Sequence, residues 1–389
     1  MKKASAIIIV CLIIGCASQH SSTATNTLSQ THPEQSKEDA SQIKQQKVFY
    51  SNIDDAFNAM THHLDKLSDD AVKSAFDLAV AELKKDPAHV RANIVLFKAH
   101  LYKANEDQVV EQFKKLIILT PKVSEECIEL GTIFAQLGKI SHAIRQFQAS
   151  VDINPSFIPG YYNLGRAYFM KRHYEESIKA YEKTIELAPK HYRAWNNLGW
   201  IYMVKKDFKK ATDMISNALE IKPDYAVAYM NLGTINLLQK KMDDAEKEFK
   251  HYIELKPDDP EGYRNLASVY QQRQQMDKAI DTIRKLLTHK PDDLIAMNNL
   301  AVLLLSKARY GESVRLLKTV YNTDIADKKF KSEVSKTLAV ASFHLAEALA
   351  DHSDKKKQAI QAYEDYLEYA ENLSEEVVKQ VEDKISALQ

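Results

Sequence analysis

The chain has 389 residues, and its 53 basic and 53 acidic side chains cancel at pH 7. A balanced charge excludes the strong positive field with which nucleic-acid-binding proteins attract phosphate groups. Only three cysteines are present, which excludes a disulfide framework as the source of stability. We therefore expect no nucleic-acid partner.

The N-terminus has the pattern of a secretion signal. Two lysines, Lys2 and Lys3, precede an apolar run over residues 4–14. This run is shorter than the roughly 20 residues that a membrane-spanning helix needs, but it suits the core of a signal peptide. An ordinary secretory signal that happens to contain a cysteine is one interpretation of it.

The end of this run supports a more specific interpretation. Residues 13–16 read Ile-Ile-Gly-Cys and resemble the bacterial lipobox, whose cysteine is acylated and becomes the new N-terminus after cleavage. The resemblance implies a lipoprotein signal peptide over 1–15 and fatty acyl chains such as palmitate on Cys16. Ala17 resembles the outer-membrane sorting class of Gram-negative lipoproteins. The implied location is the periplasmic face of the outer membrane.

Residues 16–50 begin with the lipidated cysteine and continue as a stretch rich in Ser, Thr, Gln and Asn. Such a composition cannot bury enough apolar surface to fold, so we interpret it as a disordered tether. A flexible chain of this length spans about 30 Å. The tether would hold the folded part some distance from the membrane.

The rest of the chain repeats at a fixed period. Seven of the ten prolines stand in one register, at equal intervals along the sequence: Pro87, Pro121, Pro155, Pro189, Pro223, Pro257 and Pro291. A period of this size is typical of an array in which one helical hairpin is copied and stacked. Each proline pushes the preceding residue out of the α region and so ends a helix.

Each period also carries a pattern of large and small residues. A Leu-Gly or Leu-Ala pair recurs through 130–131, 164–165, 198–199, 232–233, 266–267 and 300–301. A helical glycine is unfavourable by about 1 kcal/mol relative to alanine, so its recurrence predicts a close approach between helices. The opposing small residues, such as Ser177 and Ala211, would supply the partner surface.

This pattern resembles the tetratricopeptide repeat. The motif W-x2-L-G-x2-Y, followed by A-x3-large and P, is nearly intact over 195–223. The resemblance implies an all-α fold, a right-handed α-solenoid of helix hairpins with degenerate ends and a C-terminal capping helix. We place degenerate helical repeats at 51–123, six clear repeats at 124–327, and an interrupted terminal repeat with the capping helix at 328–389.

The resemblance also implies a binding groove. In this family the first helix of each hairpin lines a concave groove that binds a partner protein or an extended peptide. The corresponding positions here are Tyr162, Asn163, Arg166, Phe169, Asn197, Trp200, Met203, Asn231, Thr234, Arg264, Asn265, Gln271 and Asn299.

Two features of this set have alternative interpretations. The recurring asparagines could bond an extended peptide, or they could bond within the hairpins. Trp200 could be a binding residue, or it could pack against the neighbouring repeat.

Signatures of catalysis are absent from the sequence. It contains no Gly-rich phosphate loop, no H-E-x-x-H and no paired Cys-x2-Cys. Once Cys11 is removed with the signal peptide and Cys16 is lipidated, Cys127 has no second cysteine to form a disulfide with. It occupies a repeat position at which the other copies have mostly large residues that pack inside the array. We expect no enzyme activity, no cofactor, no metal site and no small-molecule substrate.

The sequence therefore predicts a non-catalytic scaffold, tethered by lipid in the cell envelope, that binds proteins or peptides. Lipoproteins that resemble this chain assist the assembly of pili, secretion complexes or murein-processing complexes. Self-assembly into a structural homo-oligomer is the alternative. A third possibility is an enzyme or small-ligand binder that uses residues 328–358.

Overall fold

The computed structural model describes residues 50, 52–62, 64, 67–103, 106–325 and 327–389. Within these ranges the chain forms nineteen α-helices and no β-strand, as the sequence predicts. None of these helices is both long and apolar enough to cross a membrane. The predicted signal peptide, Cys16 and residues 17–49 lie outside the described residues. The chain divides into two compact units, one ending at Lys205 and the other beginning at Lys206.

The first unit is an array of antiparallel helices around one apolar core, in which Phe97, Leu130 and Phe134 are almost fully buried. The described helices of this unit are α1 (Ile53–His62), α2 (Asp69–Lys85), α3 (Val90–Tyr102), α4 (Glu106–Ile117), α5 (Ser124–Gln136), α6 (Ile140–Ile153), α7 (Ile158–Met170), α8 (Tyr174–Leu187) and α9 (Tyr192–Val204).

The second unit continues the same alternation, with Phe249, Tyr263 and Ile283 in its core. Its described helices are α10 (Phe208–Ile221), α11 (Ala226–Leu238), α12 (Met242–Leu255), α13 (Pro260–Gln272), α14 (Met276–His289), α15 (Leu294–Ser306), α16 (Tyr310–Tyr321), α17 (Lys328–Ala350), α18 (Lys356–Tyr369) and α19 (Glu375–Leu388).

Six of these helices start at equal intervals along the chain and are the first helices of hairpins. They are α5, α7, α9, α11, α13 and α15. The helix before each later start ends two residues before a periodic proline, and the residue between them is the C-cap. Asn154 and Lys222, for example, have extended backbones at φ −132°, ψ 98° and φ −135°, ψ 90°. Steric conflict with the proline ring excludes the α region there, so the proline sets the period locally.

The turn inside each hairpin is also periodic. Gly138, Arg172, Lys206, Lys240, Gln274 and Ala308 all have positive φ, between 57° and 71°. At Ala308 the N–H donates to Leu305 O over 3.0 Å, and the next N–H, of Arg309, donates to Leu304 O over 2.9 Å. This pair of bonds is the Schellman motif, which satisfies the last carbonyls of a helix. Only Gly138 adopts the left-handed conformation without a Cβ penalty.

The recurring glycines accommodate aromatic rings from the second helix of their own hairpin. A Cβ atom on Gly165 would lie 2.8 Å from Tyr181 Cε1, and one on Gly233 would lie 2.6 Å from Phe249 Cε1. Both rings are almost fully buried. The close approach that the sequence predicts is therefore largely the contact of a helix backbone with a ring.

The small residues of the two helices also face each other, as predicted. The Ser177 hydroxyl donates to Gly165 O over 2.5 Å, and the Ser313 hydroxyl donates to Ala301 O over 2.8 Å. These side chains are short enough to let the helices approach, and the bonds satisfy their buried hydroxyls.

The C-terminal region contains a longer helix. The terminal repeat that the sequence predicts to be interrupted begins with α17, which has 23 residues where α15 has 13. Asp327 caps this helix by accepting the N–H groups of Lys329 and Phe330. The terminal helix α19 buries Val381 in the cluster that contains Tyr363.

Candidate interaction surface

First helices of consecutive hairpins touch through side chains in each unit. In the first unit, the Asn197 amide on α9 donates to the Tyr162 hydroxyl on α7 over 3.3 Å. In the second unit, the Asn265 amide on α13 donates to Met230 Sδ on α11 over 3.1 Å. We call the surface formed by the predicted groove residues the first-helix face, and describe it separately for each unit.

Aromatic packing supports this face in the first unit. The ring centroid of Tyr162 lies 4.8 Å from that of His191 and 5.8 Å from that of Tyr181. The Arg166 guanidinium carbon stands 5.9 Å from the Tyr162 ring centroid. Burial raises the pKa of the Tyr162 phenol and lowers the pKa of the His191 imidazole. Both groups are therefore neutral at pH 7.

The same face presents apolar side chains to solvent. Met170 and Val204 are each 38% exposed. Arg166, Phe169 and Trp200 are half-buried, whereas the predicted groove residue Met203 is only 8% exposed. The surface available for contact in this unit thus has Trp200 and Arg166 near two exposed apolar side chains.

In the second unit, polar residues of the first-helix face already have partners within the chain. The Arg264 guanidinium forms an ion pair with Asp293 at 3.0 Å. Asp293 also caps α15 by accepting the Ala296 N–H over 2.9 Å. The Thr234 hydroxyl donates to Met230 O, one helical turn earlier, over 2.8 Å.

Other groups on this second face are free or exposed. Arg264 Nε and Asn298 Oδ1 are buried with no hydrogen-bond partner in the described part of the chain. Gln271 is exposed, and the apolar side chains of Leu238 and Val302 are 57% and 43% exposed. This face therefore combines unpaired polar atoms with accessible apolar surface.

The predicted asparagine column is partly engaged in packing. The Asn197 amide donates to the hydroxyls of Tyr162 and Tyr181, and Asn265 is bonded to Met230. Asn231 is 6% exposed, while Asn163 and Asn299 are half-buried. Bonding within the array therefore accounts for Asn197 and Asn265, and contact with a peptide stays a prediction.

Comparison with protein families identifies the hairpins. The family described as tetratricopeptide repeat matches residues 158–191 and 192–225. Three further families of the same repeat match residues 131–171, 211–260 and 236–301. This is a tetratricopeptide repeat protein. The matches together span 131–301, which lies within the hairpins whose first helices start at equal intervals.

Solved structures similar to this repeat protein share low sequence identity with it. The C-terminal part of a repeat protein from Cytophaga hutchinsonii is 19% identical, covers 64% of this chain and 98% of its own, and gives a TM-score of 0.46. A tetratricopeptide protein from Parabacteroides merdae is 17% identical and covers 74% and 98%, with a TM-score of 0.45. Pseudomonas aeruginosa pilF is 18% identical and covers 54% and 97%, with a TM-score of 0.44. No curated protein matches the chain in sequence. The assignment rests on the family matches and on the hairpins themselves.

A tetratricopeptide repeat protein is a scaffold for protein–protein interaction, and its fold is typically non-catalytic. Val204 and Leu238 are exposed on this repeat protein, although neither belongs to the groove residues predicted from the sequence. Together with Met170 they occupy one register, at intervals of one repeat. Aligning the repeats at the last residue of each first helix, and not only at the positions that pack, would have identified them.

Metal-binding clusters and reactive thiols can be assessed in the described residues. No group of three or more His, Cys, Asp or Glu side chains that could hold a metal ion occurs in the residues that the structure covers. Cys127 is fully buried, as predicted, and burial raises the pKa of its thiol to about 11. A thiol with so high a pKa is a poor nucleophile at neutral pH.

Proposed function

We propose that this tetratricopeptide repeat protein is a lipid-tethered, non-catalytic scaffold of the bacterial cell envelope. It binds a partner protein or an extended peptide on its first-helix faces. By holding partners at raised local concentration, it assists the assembly of envelope machinery such as pili, secretion complexes or murein-processing complexes.

The observation that carries the binding proposal is the composition of the first-helix face in the first unit. Half-buried Trp200 and Arg166 lie on a face that also exposes Met170 and Val204. Tryptophan, arginine and methionine are enriched where protein interfaces have their largest contributions to binding energy. Exposed apolar side chains at one register of consecutive hairpins favour a partner that contacts more than one repeat.

The proposed location is supported by the N-terminal sequence. Two lysines, an apolar run and the Ile-Ile-Gly-Cys sequence ending at Cys16 have the order of a lipoprotein signal. Several acyl chains on one residue hold a protein firmly at a membrane, whereas one chain binds weakly. A tether of about 30 Å would keep the repeats free to bind partners at the membrane surface.

Photo-crosslinking in the native cell tests the proposed binding face. A photoreactive residue at position 200 should capture a discrete partner, because the side chain there is accessible on the first-helix face. The matched control is position 179, where Lys179 is exposed on the second helix α8 of the same unit.

The two positions give three informative outcomes. Capture at 200 without capture at 179 supports the face. Equal capture at both positions, or none at either, contradicts the proposed face. Capture of a second copy of this chain at 200 would favour a self-assembling structural lipoprotein instead.

A further inference from the structure

The second helices of the first unit end along one side of the array. Helices α4, α6 and α8 run in the same direction, because each is the second member of an antiparallel hairpin. Their C-terminal ends, and the turns that lead to the next first helix, therefore lie on the same side. We call residues 115–125, 149–159 and 183–193, which occupy equivalent positions in three consecutive repeats, the second-helix edge.

Two isoleucines of the second-helix edge are exposed to solvent. Ile118 is 78% exposed, the largest exposed fraction of the large apolar side chains in the described residues, and Ile153 is 45% exposed. At the register of Ile118 the next four repeats have a carboxylate, on Asp152, Glu186, Glu220 and Glu254. The Ile118 N–H donates to Lys115 O over 3.3 Å, and the following residue, Leu119, is only 8% exposed. Buried Leu119 thus anchors the turn that presents Ile118.

Exposed lysines accompany these isoleucines. Lys115, Lys122 and Lys190 are exposed, and none has an ion-pair partner among the described residues. Lys115 lies three residues before Ile118, at the end of α4, so the two side chains are neighbours on the helix surface. The edge therefore places unpaired positive charge beside accessible apolar surface.

Carboxylates on the same edge are fewer. Apart from histidine, the second-helix edge has five basic and three acidic side chains. One of the acidic side chains, Glu186, already forms an ion pair with Lys183 at 2.6 Å. The other two, Glu125 and Asp152, are exposed. The unpaired charges of the edge therefore sum to a positive value.

The corresponding residues of the second unit have the opposite charge. Residues 217–227, 251–261 and 285–295 contain four basic and eight acidic side chains. At the register of Lys122 this unit has three exposed aspartates, Asp224, Asp258 and Asp292. An anionic surface is therefore attracted by the second-helix edge of the first unit and repelled by its counterpart in the second.

Apolar side chains among lysines are suited to the surface of an anionic membrane. The apolar groups enter the headgroup region while the lysines approach the lipid phosphates, and each lysine strengthens binding by roughly fivefold. In the proposed function the chain is anchored at Cys16, and a tether of about 30 Å joins that residue to the first unit. The membrane is then the anionic surface that stays within reach of this edge.

We propose that the second-helix edge of the first unit docks on an anionic lipid bilayer. Ile118 and Ile153 enter the headgroup region, and Lys115, Lys122 and Lys190 approach the lipid phosphates. Docking orients the first unit at the membrane. Trp200 lies outside the edge, so docking and partner capture use different residues. The inference rests on the proposed lipid anchor for the proximity of the membrane.

Fluorescence of the full-length, lipidated protein tests this docking. Ile118→Cys is labelled with a nitrobenzoxadiazole dye, whose emission increases in the headgroup region, while buried Cys127 stays unlabelled. The labelled protein is reconstituted into vesicles of phosphatidylcholine alone or with about one third phosphatidylglycerol. We expect emission to increase by about threefold or more, with a shift to shorter wavelength, only on the vesicles that contain phosphatidylglycerol.

A matched label controls for general effects of the vesicles. Glu254→Cys places the same dye at the register of Ile118, at an exposed position on α12 of the second unit. Its emission should be the same on both kinds of vesicle, because the surrounding charges of that unit are mainly acidic.

Charge variants of the labelled protein test the role of the lysines. Lys115→Glu and Lys122→Glu should each lower the ratio of docked to undocked protein by roughly fivefold or more. Lys179→Glu changes an exposed lysine of α8 outside the edge and should leave this ratio unchanged. All three side chains are exposed, so the helical circular dichroism of the variants should match that of the wild type.

Co-sedimentation with vesicles of phosphatidylcholine alone measures the lipid anchor separately. Protein that stays in solution there contradicts the anchor, and emission on vesicles with phosphatidylglycerol then reports docking without it. Protein that sediments with both kinds of vesicle, but shows no change of emission at position 118, retains the anchor and overturns the docking.

Other results also overturn the proposal. These are equal changes of emission on the two kinds of vesicle, equal changes at positions 118 and 254, and wild-type docking in both the Lys115 and Lys122 variants. A concentration-dependent change at position 118 without vesicles would show that a second copy of this chain, and not lipid, covers the edge.

Discussion

At the scale of single residues, stability depends on which side chain fills the space left by a missing Cβ. Gly233 is in van der Waals contact with the fully buried ring of Phe249, so there is no free volume on that side of α11. Gly311, near the start of α16, meets nothing closer than Leu345 Cδ1 at 3.9 Å from an ideal Cβ position. Substitution by alanine should therefore change the free energy of unfolding differently at the two glycines.

Gly233→Ala should lower the free energy of unfolding by roughly 1–3 kcal/mol, because its methyl group would overlap the Phe249 ring in a packed core. Gly311→Ala should leave it unchanged or raise it by up to about 1 kcal/mol, since alanine is the better helix former. Urea unfolding followed by circular dichroism gives both values. Equal effects of the two substitutions would mean that ring packing does not explain the recurring spacing of glycine and ring.

His191 is a second residue whose local setting has a measurable consequence. Its Nδ1 accepts the Ala194 N–H over 3.1 Å at the start of α9, and burial, with the Arg193 charge, lowers the pKa of its imidazole. Burial likewise lowers the pKa of His100. The native state thus favours the neutral forms, which also keeps the Nδ1 acceptor of His191 available.

Because these native pKa values lie below the unfolded value of about 6.5, stability is fully present above pH 6.5 and falls as the pH drops through the native pKa. His191→Asn keeps an N-cap acceptor and removes one titrating group, so it should flatten the decrease between pH 7 and 5. Both tryptophans, Trp195 and Trp200, lie in the same unit as His191, so their fluorescence can follow its unfolding. An unaltered pH profile would exclude His191 as the cause.

At the scale of helices and turns, the array repeats a backbone conformation more faithfully than it repeats residue types. Five of the six left-handed turn residues carry a side chain, from Arg172 to Ala308. An L-residue with a side chain is strained in this conformation, yet the two Schellman bonds and the packing of the following helix impose it. The hydrogen bonds and packing of the hairpin therefore impose the turn geometry. Glycine makes this geometry easier to adopt but is not required for it.

Ala308→Gly should relieve this strain and raise the free energy of unfolding by about 0.5–1 kcal/mol, after allowance for the greater freedom of glycine in the unfolded chain. The converse change, Gly138→Ala, should lower it by about 1 kcal/mol at the equivalent turn of another hairpin. Thermal unfolding of the two variants and the wild type measures both effects. If both variants shift in the same direction, turn strain is not the controlling factor.

At the scale of the whole molecule, the chain contains two compact units of helices and an N-terminal segment that resembles a lipoprotein signal sequence. The helices satisfy their own backbone hydrogen bonds, and the described ones are not membrane-spanning. Membrane attachment in the proposed function thus depends on the acyl chains of Cys16.

Cys16→Ser should move the protein from the membrane fraction to the soluble fraction, because serine cannot take the thioether-linked lipid. Fractionation of cells followed by immunoblotting measures the distribution, and Cys127→Ser serves as the control because Cys127 is buried in the repeats. Retention of the Cys16 variant in the membrane fraction would contradict the proposed lipid anchor.

Much of the fold could be predicted from the sequence because its determinants are local and periodic. Proline excludes the α region at the residue before it, at Asn154 as at Lys222, so the prolines fix where the second helix of a hairpin ends. The spacing of Gly165 and Tyr181, repeated by Gly233 and Phe249, fixes which surfaces of a hairpin meet. Such rules depend on steric properties that are the same in every copy.

The side-chain partners at the candidate sites were decided only by the tertiary structure. Met203 is buried while Met170 is 38% exposed, although both lie near the ends of first helices. The hydroxyl of Tyr229 is bonded while that of Tyr263, at the same register, has no partner among the described residues. The sequence by itself determined the helix hairpins and their period, since these follow from local backbone sterics and residue spacing. Exposure and hydrogen-bond partners depend on neighbouring repeats that differ in sequence from copy to copy, and for that reason only the folded chain decides them.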